Sequence, residues 1–137
     1  MKTKFIVSLL LVVIYLPVQA SSSAPASANT YIVSPAHGET VSSPVTVIFG
    51  LQGMGVAPAG TAKNNTGHHH LIINSPTPSL SKAIPKDKNH KHFGGGQTQV
   101  TLDLAPGTHT LQLVLGDKSH IPHNPPVVSE KITINVK

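Results

Sequence analysis

From residue 45 onward the apolar side chains of this chain recur at every second position. Val45, Val47, Phe49 and Leu51 alternate with Thr46, Ile48 and Gly50, and Thr98, Val100, Leu102 and Leu104 alternate with Gln97, Gln99, Thr101 and Asp103. After the turn signal Ala105-Pro106-Gly107, His109, Leu111, Leu113 and Leu115 resume the pattern, and Ile132, Ile134 and Val136 close it. Successive side chains of a strand point to opposite faces, so each segment has one apolar face that must be buried against another sheet. No window has helical spacing. Tyr31-Ile32-Val33 and residues 68–74 add further strands, and Pro, Gly, Asn and Ser clusters separate them. This pattern predicts an all-β chain: a single antiparallel immunoglobulin-like β-sandwich after a cleaved signal peptide, with 97–104 and 108–115 forming a hairpin. Trp and Cys are absent and Phe is scarce, so the core must be made of Val, Ile and Leu.

Residues 1–20 carry Lys2 and Lys4, then an apolar run from Phe5 to Leu16, then the small-residue exit Val18-Gln19-Ala20. A run of about 12 residues is shorter than the roughly 20 that span a bilayer, so it reads as a signal peptide cut after Ala20. The mature chain is then periplasmic or secreted and has no integral membrane segment. Residues 21–30, rich in Ser, Ala and Pro, read as a flexible leader, and 31–137 as one histidine-rich β-sandwich domain. Without cysteine there is neither a disulfide framework nor a lipid-anchored start. Removing Lys2 and Lys4 from the 10 basic residues leaves 8 lysines against 5 acids, and arginine is absent. Nucleic-acid readers rely on arginine forks, so no nucleic-acid partner is expected.

Histidine, 9 of 137 residues, carries the chemistry. In the run His68-His69-His70 strand alternation puts His68 and His70 on one face and His69 on the other. His92, His120 and His123 lie in stretches read as loops, which a compact sheet can bring to the same end. Neutral imidazoles suit Cu(II) or Zn(II). Ca²⁺ or Mg²⁺ would want clustered carboxylates, blue copper a cysteine, and Cu(I) several methionines. The expected metal set is therefore His68, His70, His92 and His120, with His123 as an alternate ligand and Asp117 or Asn74 orienting a ring from behind. His37 and His90 read as surface residues, and His109 as a core-edge residue bonding a carbonyl. The same histidines also permit a second reading, a structural hydrogen-bond network in a non-enzymatic envelope interaction module. No nucleophile or metalloprotease motif is present. A metal-dependent hydrolase using Asp117 or Glu130 beside a metal-bound water ranks third.

The segments Gly67-His68-His69-His70-Leu71, His90-x-His92-Phe93-Gly94, Gly96-Gln97-Thr98, Pro106-Gly107-x-His109-Thr110-Leu111-Gln112-Leu113 and Gly116-Asp117-x-x-His120-x-Pro122-His123 together resemble a bacterial exported family, domain of unknown function 4399. The resemblance covers roughly residues 31–137. It implies an envelope protein with these histidines as the family pattern, and it brings neither an activity nor a metal identity.

Overall fold

The computed structural model describes residues 21–137, so the expected signal peptide at 1–20 lies outside the described residues. Among these, nine strands and no helix are present: β1 (Asn29–Ser34), β2 (Thr40–Val41), β3 (Val45–Gln52), β4 (Gly55–Val56), β5 (Thr66–Ile73), β6 (His90–His92), β7 (Gln99–Leu102), β8 (Gly107–Gly116) and β9 (Ile132–Val136). None of the described residues forms a helix long and apolar enough to cross a membrane.

The strands make two sheets. One has the order β1-β3-β7. The other runs β2-β9-β8-β5-β4, with β6 pairing the remaining free edge of β5. Pairing is antiparallel except at two short joins, β2 with β9 and β4 with β5, which are parallel. The alternation predicted for β3 is observed: Val45, Val47 and Phe49 are buried while Thr46 and Ile48 are exposed. These three meet Leu102 of β7 and, from the second sheet, Leu71, Ile73, Leu111, Leu113, Ile134 and Val136 in one core. Leu71, Leu111 and Leu113 are fully buried. Each such side chain contributes about 1.5–3 kcal/mol relative to exposure.

The expected hairpin of 97–104 with 108–115 does not form. β7 pairs β3 in the first sheet, whereas β8 pairs β5 and β9 in the second, so the Ala105-Pro106-Gly107 turn carries the chain across the core. Both arrangements bury the same alternate residues, so periodicity could not separate them. Residues 21–30, expected to be a flexible leader, are tied down. The Ala24 amide donates to the Asn124 carbonyl at 3.2 Å and the Asn124 amide to the Ser22 carbonyl at 3.0 Å. Ala24 packs in a small cluster with Leu115 and Val127, and the Thr30 hydroxyl donates to the Gly50 carbonyl at 2.9 Å.

β5 is buried on both faces. Its inner face presents His69, Leu71 and Ile73 to the core, where the His69 ring lies 5.2 Å from that of Phe49. Its outer face presents His68, His70 and Ile72. There Ile72 and Val114 are covered by Ile84 and Val128, contributed by the connections that follow β5 and β8. These coverings create a second, outer layer, and the histidines sit in it.

Candidate metal centre

Three of the predicted ligands come from paired strands. His70 of β5 lies directly opposite His92 of β6, and His68 follows at the next position on the same face. Directly opposed residues of an antiparallel pair have Cβ atoms about 4.5–5.5 Å apart, so His70 and His92 are neighbours by register alone. His92, expected in a loop, is therefore on a short edge strand.

The fourth, His120, sits in the loop between β8 and the isolated Gly116–Pro122 bridge. Its φ of +66° is left-handed, a region that costs a non-glycine residue roughly 1–2 kcal/mol. Asp117 holds it there. The His120 amide donates to the Asp117 carbonyl at 2.9 Å, and Oδ1 of Asp117 accepts the amides of Ser119 (2.8 Å) and Ile121 (3.0 Å). Oδ2 accepts the amide and hydroxyl of Ser22, each at 3.0 Å. Burial pushes the Asp117 carboxyl up, but these donors outweigh it and leave the group below the usual carboxylate range. From the other side, the Ile84 amide donates to the His120 carbonyl at 2.8 Å.

His68, His70, His92 and His120 each offer a ring nitrogen, and these four atoms lie within 4.8 Å of one another. Ring centroids are 4.7 Å apart for His92–His120 and 4.8 Å for His68–His70. One hydrogen bond links rings in the group, between His68 Nε2 and His120 Nδ1 at 3.1 Å. Nδ1 of His68, Nδ1 of His70 and Nε2 of His92 are buried without a partner in the protein. A buried polar atom left unpaired costs about 1–3 kcal/mol. Zinc–imidazole bonds of roughly 2.0–2.1 Å in a tetrahedron imply nitrogens about 3.3 Å apart. The group is thus slightly wider than a ligated set, and its all-imidazole chemistry fits a borderline divalent ion. Space for the rings is cleared by glycine: a Cβ on Gly116 would lie 2.6 Å from Cε1 of His70, and one on Gly94 would overlap the His92 ring.

The electrostatics favour neutral rings, the form that ligates. Burial, followed by the neighbouring charges of His68, His92 and His120, lowers His70 to about 3. His68 is lowered to about 4, by burial first and then by His120 and His92, with Asp117 opposing. Burial, then His120 and Lys86, lower His92 as well. In the core, burial takes His69 to about 4. The carbonyls of Gly50 and Gln97 lean the other way, but neither makes a hydrogen bond to the ring, and both His69 nitrogens lack a partner.

The remaining histidines behave differently. His123, the expected alternate ligand, lies outside the group: Nε2 is 3.1 Å from the Thr66 carbonyl and Nδ1 3.4 Å from that of Leu115. His109 bonds the Ala105 carbonyl at 2.8 Å and accepts from the Asn74 amide at 2.9 Å, which commits Asn74 away from the four-histidine group. His90 is 2.9 Å from the Asp87 carboxylate, and His37 accepts the Thr133 amide at 3.1 Å. Asp117 organises the loop, not a ring, and Glu130 is exposed outside β9. Neither carboxylate joins the group, and Asp117, with both oxygens occupied, is a poor base. Sequence reading missed Gly116 and Ser22. Ser22 left no local signal, because its partner is 95 residues away.

Two outcomes follow from this geometry. Between pH 6.5 and about 4, His68, His69 and His70 stay neutral when folded but take up protons when unfolded. The unfolded state then binds more protons, so stability falls as pH falls through that window, by at most about 4 kcal/mol per pH unit. Urea unfolding of metal-free protein should show a lower midpoint at about pH 5 than at about pH 7.5, and equal midpoints would contradict the burial of neutral rings. Gly116→Ala should displace the His70 ring, destabilise the metal-free protein by about 1–3 kcal/mol and weaken zinc binding at least tenfold, read by urea titration and calorimetry. Unchanged affinity would mean that His70 is not where the ion binds.

No curated protein and no solved structure matches the chain. A family model described as Domain of unknown function (DUF4399) matches residues 47–137, a span that starts within β3, later than the residue 31 expected, and takes in all four clustered histidines. The chain belongs to the DUF4399 family.

Proposed function

We propose that this protein is an exported β-domain of immunoglobulin-like build that binds Cu(II) or Zn(II) through His68, His70, His92 and His120 and serves as a metal carrier or buffer in the periplasm or outside the cell. The observation that carries this reading is the convergence of four imidazole nitrogens within 4.8 Å, three of the rings keeping a buried nitrogen without a partner. The histidines outside the group and outside the core provide the contrast. His37, His90, His109 and His123 each bond a carbonyl, carboxylate or backbone amide, as structural histidines do. A cavity opens onto His70, His92 and His120, so an ion can enter and leave without unfolding the strands. That access suits a carrier or buffer better than a sealed structural site. The export address rests on the charged, apolar and small-residue order of residues 1–20.

A second reading has one observation in its favour, the His68–His120 hydrogen bond, by which the rings hold one another without an ion. In it the group is a structural network in an envelope interaction module. Calorimetric titration of tag-free mature protein with Cu(II) and Zn(II) separates the two. The metal reading predicts one equivalent bound, loss of binding in His70→Ala and His120→Ala, and stabilisation of about 2.7 kcal/mol at a free ion concentration 100-fold above Kd. Binding indifferent to both substitutions, or a melting temperature indifferent to both ions, would reject it in favour of the network.

A further inference from the structure

Four imidazoles bring no negative charge to a divalent ion. Asp117, the acid that acts on His68, has both oxygens occupied by the four donors from Ser22, Ser119 and Ile121. Asp87 is committed to His90 at 2.9 Å. No carboxylate of the described residues is therefore free to ligate the ion, and only the field of Asp117, acting from behind His68, offsets its double charge in a half-buried setting, where poorly compensated charge is costly. Beside the group lies a cavity of about 250 Å³, lined by His70, Ile84, Lys86, His92 and His120. His68, fully buried, does not line it and closes the far side of the group. The outer wall is fixed to the ligand loop, because the Ile84 amide donates to the His120 carbonyl. Pro85 limits the backbone between that anchor and Lys86. Lys86 thus brings an ammonium to the mouth of the cavity, and it makes no ion pair with a carboxylate among the described residues.

We infer that this cavity is an anion site: a small carboxylate or oxyanion binds there as a further, exogenous ligand of the metal, with Lys86 holding its outer end. The inference rests on the metal reading above. At about 250 Å³, the cavity has room for an anion of a few heavy atoms and none for a folded peptide. Lys86 is a positioning and selectivity residue here, and the histidines hold the ion without it.

Azide is the probe, added to tag-free protein after one equivalent of Cu(II) has been loaded and its uptake measured by calorimetry. An azide-to-copper charge-transfer band should appear and saturate. Lys86→Gln should weaken azide binding roughly fivefold or more, and Lys86→Arg should restore it. Imidazole, a neutral competitor, should bind the parent and Lys86→Gln proteins alike. Copper uptake without an azide band, or azide affinity equal in the parent and Lys86→Gln proteins, would overturn the anion site while leaving the metal reading intact. Failure to take up copper in the first step would instead remove the metal reading, and the anion site with it.

Discussion

Three consecutive histidines on one strand cannot all face the same way, and the rest of the molecule accommodates that divergence. His69 goes inward onto Phe49, while His68 and His70 go outward with Ile72. A strand with imidazoles and β-branched residues on both faces needs cover on both faces. The first sheet covers one. The connections after β5 and β8 cover the other; the first returns the chain to the edge of β5 as β6, which carries His92, and the second carries His120. Site and outer layer are linked: without the covering segments, Ile72 and Val114 would be exposed and the ring of His120 would be lost.

The covering loop depends in turn on a single carboxylate. Asp117 is 2% exposed and accepts four hydrogen bonds, which is enough to satisfy its oxygens and to hold its loop as a fixed turn. Two of those bonds come from Ser22, so the first described residues strap the loop that carries the fourth histidine. His120 is left-handed as a consequence. Rigid strands thus place three rings, and a tethered loop places the last.

The alternation of Val45, Val47 and Phe49, and of Leu111, Leu113 and Leu115, made the strands and the core legible, because burial on a sheet follows a period of two. The same parity placed His68 and His70 together. Partner choice between strands was not legible: the residues of β7 are equally amphipathic in a hairpin or in the opposite sheet. The three-residue β6 was hidden in a polar connection, since its strand character comes from the edge of β5 and not from its own Lys-flanked sequence. His123 shared the composition of a ligand and differs by the carbonyls around it, which depend on Thr66 and Leu115 folding nearby. The roles of Gly116 and Ser22 arise only once distant segments meet.

The contrast among the histidines outside the core is the main support for a metal site, because one chain holds both kinds. Four have ordinary partners, while four converge, three of them with a buried nitrogen unpaired, in a setting that keeps His68, His70 and His92 neutral. X-ray absorption at the zinc edge, on tag-free protein loaded with one equivalent, tests this most directly. A nitrogen-dominated shell at about 2.0–2.1 Å, with the outer-shell scattering of several imidazole rings, is the predicted result. A shell of water and carboxylate oxygens, or one imidazole at most, would contradict it.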